Sequence, residues 1–549
     1  MSQLRMILAV LLSMVVFFIY YTYIEPPVSK VASPQASQST NDQSVVKSVE
    51  KVIPADTLPA AELKNGFFPN QNQKGEQWNL ENDQVKLIVD SFGGRIDSVY
   101  LKSYPEGEKN DVVNLVDQGG GLGGLSFTSS INDFGVSYVL NKAESSKTQL
   151  VLEGQLDAFS IKKIYRMDAL SVYGFEQEFI IENKSNMALD IEPQFWMSRH
   201  QKEAEHDAGM FSFLSGPPDL VHPLGLVAGK VLTETDPKKL GNFGPLMGDV
   251  AWSGFGDRYF LASFISRQSS QNSLVRFLSP DGQRLYATFT YGSLGLGVGE
   301  TLNRKIGFYL GPKLRSVLQG YGVGLEKSVD YGWFSFVAVP LLWFLVTIQK
   351  VVGNWGISII VLTFIVKLLL HPVNKKSMQS MKAMQKLQPK MKELQTKYKN
   401  DREKLNLEMM ALFKSHSVNP MGGCLPMLMQ MPIYISLYKV LWNAIELYRV
   451  PFFGIYKDLS APDPYFIAPI VLGILFFLQQ KLTPTSASMD PAQAKVMQFM
   501  PLMFTAFMIF LPAGLLLYII VNTLMSVIQQ YMIHRDLSFM DLLTGKRAI

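Results

Sequence analysis

A polytopic α-helical membrane bundle joined to a large exported antiparallel β-sandwich is the fold class this sequence predicts. Three observations carry it. Nearly all of the long apolar runs fall within residues 331–535, while 25–330 reads as soluble protein. Residues 78–312 alternate with period two between turn signals. The loop 373–418 concentrates basic residues between apolar runs.

The chain has 549 residues, 48% of them apolar, and a net charge of +5. That length calls for at least two units. Its one cysteine, Cys424, precludes an intrachain disulfide, so an exported domain must rest on its own core. His200 and His206 are six apart with no cysteine near them, and no zinc site is read there.

Residues 1–24 are expected to form a transmembrane anchor. Met6–Ile24 is uncharged, follows Arg5 and ends in bulky residues rather than a small-residue cleavage site. Residues 25–75, rich in Ser, Gln, Pro and Lys, read as a disordered tether. Residues 76–325 are expected to be the β-sandwich, with a turn at Gly93-Gly94. Gly119–Gly124 matches a dinucleotide fingerprint in spacing alone. It opens no helix that could meet a pyrophosphate, so it reads as a connection between strands.

An aromatic, proline-containing helix is expected at 329–350, lying at the outer interface. Transmembrane spans follow at 355–372, 421–443, 464–480, 496–511 and 514–533, with a short tail at 534–549. Between the first two of these spans, residues 373–418 hold eleven Lys or Arg against four acids (Glu393, Asp401, Glu403, Glu408). The positive-inside rule assigns this loop to the cytoplasm, so six spans are expected, with both termini cytoplasmic. The loop itself reads as a helical hairpin. Met381, Met384, Leu387, Met391 and Leu394 recur on one limb, Leu405, Met409 and Leu412 on the other, and the turn falls at Asn400-Asp401.

Lys367 stands inside an apolar run with no acid in the same span. Such a charge marks a functional site, or its stem snorkels to the cytoplasmic end at Pro372, about 8 Å of helix rise away. Thr363, Lys367 and His371 share one helical face. Gln430, Tyr434 and Tyr438 form a second polar stripe, and Tyr518, Asn522, Ser526 and Gln529/Gln530 a third. Three such stripes are expected to face one another or a wet groove open to the cytoplasm. The candidate site is therefore Lys367, Thr363, His371, Gln430, Tyr434, Tyr518 and Asn522. No P-loop, nucleophile motif or metal cluster is present in the sequence, so no enzymatic activity and no cofactor are expected.

Several runs resemble the YidC/Oxa/Alb family of membrane protein insertases. They are Val329–Trp333, Gly353–Ile360 leading into Thr363–Lys367, Val418–Pro426, Gln430-Met431-Pro432, Asp463-Pro464-Tyr465 and Pro512–Leu515. Phe92-Gly93-Gly94 and Tyr309–Lys313 extend the likeness to the exported domain. The large domain resembles the Gram-negative form. The resemblance implies an inner-membrane protein whose periplasmic domain is a supersandwich, similar to sugar-mutarotase folds. It implies insertion and folding of nascent membrane proteins, alone or with the Sec translocon, with a cationic groove residue attracting acidic tails. It further implies contacts of the 373–418 hairpin with the ribosome and the signal-recognition-particle receptor, contact with the lipid bilayer, and no specific nucleic-acid sequence. Two positions depart from the family pattern. Lys367 stands where Arg is frequent, and the last span carries Tyr518-Ile519 in place of a tyrosine pair. Two other readings stay open: a secondary transporter or channel gated by Lys367, and a membrane-anchored envelope sugar-binding protein.

Overall fold

The computed structural model describes residues 74–534, apart from 107–110, 117–120, 128–131, 158, 169–170, 202–218, 237–238, 240–242, 267–272, 280–282, 400, 417, 419–424, 455 and 483–490. The expected anchor at 1–24, nearly all of the tether, Cys424 and the tail beyond His534 lie outside these residues. The described chain divides into two compact units, with the boundary at Val329–Asp330.

The first unit holds two nine-stranded sheets. One runs, in spatial order, Gln77–Glu81, Val85–Asp90, Arg95–Glu106, Gly121–Ser126, Gln194–His200, Arg284–Thr290, Ser273–Leu278 and Leu246–Gly248, with Asp111–Asn114 added on Arg95–Glu106. The other runs Lys230–Thr233, His222–Val227, Val250–Gly256, Phe260–Ile265, Thr301–Pro312, Gly174–Asn183, Phe159–Met167, Gln149–Leu156 and Val139–Leu140. All the pairings are antiparallel. The alternation that predicts strands is visible in Gln77–Glu81, where Trp78 and Leu80 are buried and their neighbours exposed. Aromatic pairs fill the core. Phe175 lies on Phe308 with ring centres 4.7 Å apart, Phe264 meets Phe308 at 5.2 Å, and Phe179 meets Phe195 at 5.3 Å. Burying each such ring stabilises the fold by about 1.5–3 kcal/mol.

The glycine run corrects one expectation. Gly121–Ser126 is a strand, paired with Gln194–His200, and not a connection. Its small residues let side chains from elsewhere approach its backbone. Gly123 O accepts hydrogen bonds from Lys163 Nζ (3.0 Å) and Gln177 Nε2 (2.8 Å). Lys163 also donates to Gly93 O and pairs with Asp133 at 2.5 Å, both side chains being fully buried. Asp133 takes further hydrogen bonds from Tyr138 Oη and Leu125 N. Burial pushes the Asp133 carboxyl up and the Lys163 ammonium down, while their mutual attraction opposes both shifts.

In the second unit the helices are α2 (Ser335–Val352), α3 (Trp355–Lys397), α4 (Arg402–Ser415), α5 (Leu425–Asn443), α6 (Ile467–Leu482), α7 (Pro491–Met508) and α8 (Ala513–His534), a short α1 (Arg315–Gly320) belonging to the first unit. Gly353 ends α2 at φ 74°, a left-handed conformation that glycine adopts without strain. Asn354 then caps α3 by accepting from Ile357 N at 3.0 Å. A side chain at Gly356 would place its Cβ 2.1 Å from the Phe452 ring, so the loop after α5 can approach α3 only at a glycine. Asp463 starts α6, accepting from Tyr465 N and Ala468 N.

Pro372 does not end a helix. α3 runs unbroken for 43 residues through Pro372 and Pro389, so the expected span at 355–372 and the first hairpin limb are one helix. An internal proline removes one hydrogen bond and bends the helix, and the long apolar and amphipathic flanks keep it continuous. The hairpin seam forms as its periodicity predicts. Leu387 and Met391 pack on Met409, with Leu394, Leu405 and Leu412 alongside, and Asp401 caps α4. Among the described residues, α2, α3 and α8 are long and apolar enough to cross a membrane by length and composition; Ile467–Leu482 and Phe499–Met508 are shorter apolar helices.

Candidate functional site

The three polar stripes converge on α8. Tyr518, Asn522, Ser526 and Gln529 follow one another at four- and three-residue steps and so occupy one face of that helix. Its N-terminal half faces α5. Gln430 Nε2 donates to Tyr518 Oη at 2.8 Å, and Asn522 Nδ2 donates to Tyr434 Oη. The Tyr434 and Tyr518 rings meet edge to face with centres 5.7 Å apart. The other half faces α3. Lys367 Nζ donates to Ser526 Oγ at 2.7 Å, and His371 Nδ1 lies 2.7 Å from Gln529 Nε2.

Six of the seven candidate residues thus join one strip of polar contacts across three helices. Thr363 is the exception. It is buried on the Lys367 face, but its hydroxyl donates to Ile359 O of its own helix at 2.6 Å and reaches neither neighbour. The strip is closed by protein at its depth. Lys367 is 5% exposed, and Gln430, Tyr518 and Asn522 are buried, whereas His371 at the other end is exposed. Among the described residues, no carboxylate lies within ion-pairing distance of Lys367. On the far side of the same helical turn, Phe364, Leu368 and Leu369 are exposed. The spacing of the stripes was readable; the pairing of Lys367 with Ser526 was not, nor was a contact just beyond the strip, where Lys382 Nζ donates to Ile533 O at the end of α8.

This polar strip brings hydroxyls, amides and one buried cation into hydrogen-bond contact. It can bind charge, and it borders an apolar surface.

Two known families match the chain. The family described as "60Kd inner membrane protein" matches residues 347–540, and the "YidC periplasmic domain" matches residues 77–344. The chain is 34% identical over 555 residues to the "Membrane protein insertase YidC" of Geotalea daltonii, covering 97% of this chain and 99% of that one. It is 35% identical over 564 residues to the protein of the same name from Syntrophus aciditrophicus, again covering 97% and 99%. A solved structure titled "Active YidC insertase crystal structure with the first transmembrane domain resolved" aligns with 84% of this chain and 93% of that one, at 17% identity and a TM-score of 0.37. The sequence matches therefore carry the assignment. They define the class as an inner-membrane protein with a periplasmic β domain and membrane helices. The chain belongs to the YidC family of membrane protein insertases. Its members are named as insertases and not as enzymes.

Proposed function

We propose that this insertase integrates membrane proteins along the α3–α5–α8 strip, with Lys367 attracting acidic residues of the tail to be exported. The carrying observation is the place of Lys367. It is a buried cation with a neutral hydroxyl as partner, on a helix whose other face exposes Leu368 at 76%. An ammonium so placed lacks a counter-charge, and a carboxylate entering from the cytoplasm supplies one. The apolar segment of the substrate then moves into lipid along Phe364, Leu368 and Leu369, while its tail crosses beside Lys367. Thr363, Gln430, Tyr434, Tyr518, Asn522 and His371 line this route, which opens toward the cytoplasm at His371.

Six spans, with both termini cytoplasmic and the basic hairpin 373–418 inside, fit the charge asymmetry of that loop. In this arrangement 1–24 is the anchor, 25–75 the tether, 76–325 the periplasmic domain and 329–350 an interfacial helix. The chain acts alone or beside the Sec translocon. The exposed lysines of the hairpin, Lys386, Lys390 and Lys397 among them, suit the ribosome and the signal-recognition-particle receptor as partners.

Replacing Lys367 with Glu tests the central step. Insertion of acidic-tailed, single-span substrates into membranes is expected to fall about tenfold or more, since like charge replaces attraction. Unchanged insertion refutes the electrostatic role. Photo-crosslinking probes at Thr363, Gln430 and Tyr518 are expected to capture a stalled nascent membrane segment.

A further inference from the structure

Lys367 has three N–H donors. Among the described residues a single acceptor meets them, Ser526 Oγ at 2.7 Å, although the residue is 5% exposed. A lysine ammonium is a point charge on a flexible stem and carries no orientation of its own. Ser526 is itself oriented. Its hydroxyl donates to Asn522 O, one turn earlier in α8, at 2.9 Å, so what it offers Lys367 is its lone pairs. Asn522 is held in turn by its contact with Tyr434, and its Oδ1 is buried with no donor.

We propose that Ser526 is a positioning residue for the insertion reaction: it holds Lys367 Nζ against α8 so that the two remaining N–H groups are available to a carboxylate of the substrate tail. This inference rests on the role proposed above for Lys367. It gives the lysine a reason to need help that an arginine lacks. A guanidinium presents a planar fork of five donors and sets its own geometry, whereas an ammonium is aimed only by its partners. Dependence on the Ser526 hydroxyl should therefore be a property of the lysine form.

The test measures, in the full-length protein in membranes, the ratio of insertion of a single-span substrate with an acidic tail to that of the same substrate with a neutral tail. Ser526→Ala is expected to lower this ratio about fivefold, the scale of one interhelical hydrogen bond. Ser526→Thr, which keeps the hydroxyl, is expected to retain it, and the near-isosteric Ser526→Val to lose it. The Thr and Val pair decides the matter if the alanine variant does not accumulate. In a Lys367→Arg background the Ser526→Ala loss is expected to shrink below about twofold. An unchanged ratio in Ser526→Ala and Ser526→Val overturns the proposal, as does an equal loss in the lysine and arginine backgrounds. Lys367→Gln separates the two levels. If it lowers the ratio while the Ser526 variants do not, the positioning role alone is wrong. If it leaves the ratio unchanged, the electrostatic reading falls and this inference falls with it.

Discussion

Lys382 Nζ lies 2.9 Å from the carbonyl oxygen of Ile533, so a side chain of α3 caps the last turn of α8. The final carbonyls of a helix have no partner within it, and a cation placed there satisfies one and opposes the helix dipole. The contact ties the base of the basic hairpin to the helix that carries Ser526 and Gln529. Lys382→Ala is expected to speed amide exchange over Gln529–His534 severalfold, the amount that loss of about 1 kcal/mol of capping implies. Hydrogen exchange read by mass spectrometry checks it. Unchanged exchange there would mean that the cap does not hold the end of α8.

Tyr518→Phe removes the acceptor of the Gln430 amide inside the bundle. A buried donor is then stranded between helices, and stability is expected to fall by about 1 kcal/mol. Gln430→Met, which removes the stranded group itself, is expected to cost less when combined with Tyr518→Phe than the two single changes cost together. Unfolding titrations in detergent measure both, and strict additivity would argue against a direct contact.

In the periplasmic unit, Lys163→Met leaves Asp133 as a buried carboxylate without its ion pair. The expected loss is about 3–5 kcal/mol. The double change Lys163→Met with Asp133→Leu should recover much of it, because the uncompensated charge goes too. Thermal melts of the single and double variants decide this. A double variant as unstable as the single would show that loss of the Lys163 hydrogen bonds to Gly93 and Gly123, not the charge balance, dominates.

His222 supplies a pH test. Burial, with Lys313 nearby, pushes its imidazole from 6.5 down to about 4, against the weaker opposing pull of the Leu220 carbonyl, Asp257 and Asp219. The folded state therefore favours neutral histidine. As pH falls from 6.5 toward about 4 the unfolded chain takes up the proton first, and stability contributed by this group is lost over that window. Melting temperatures of the full-length protein and of His222→Gln, compared from pH 7.5 to 4.5, are expected to converge or cross as the pH drops. Parallel curves would exclude the shift.

Much of this arrangement is legible in the sequence because helices repeat. The steps from Gln430 to Tyr434, from Lys367 to His371 and from Tyr518 to Asn522 announce faces before any neighbour is known. The hairpin seam of Met391, Leu405 and Met409 is legible for the same reason. What periodicity cannot supply is pairing. Nothing local matches Ser526 to Lys367, 159 positions apart, or Asp133 in its loop to Lys163 in a strand. Rotamers are likewise invisible, so Thr363 passes for a member of the strip although its hydroxyl turns back on its own helix. Glycine misleads in its own way. Gly121, Gly123 and Gly124 look like a connection, yet they form a strand, and the missing side chain of Gly123 leaves room for Gln177 and Tyr165. At Pro372, a local breaking rule yields to the helix on either side.

The unbroken α3 also has a mechanical meaning. From Lys367 to its end at Lys397 it is a rod about 45 Å long, at 1.5 Å per residue. A tilt of about 5° pivoting at Lys367 would sweep the far tip of a straight rod of that length through about 4 Å. Pro389, and Pro372 nearer the pivot, each lack one rung of hydrogen bonding, so the rod is stiff in its segments and compliant at two joints. Part of any push on the basic tip is thus taken up as bending at Pro389 and Pro372 before it reaches Lys367.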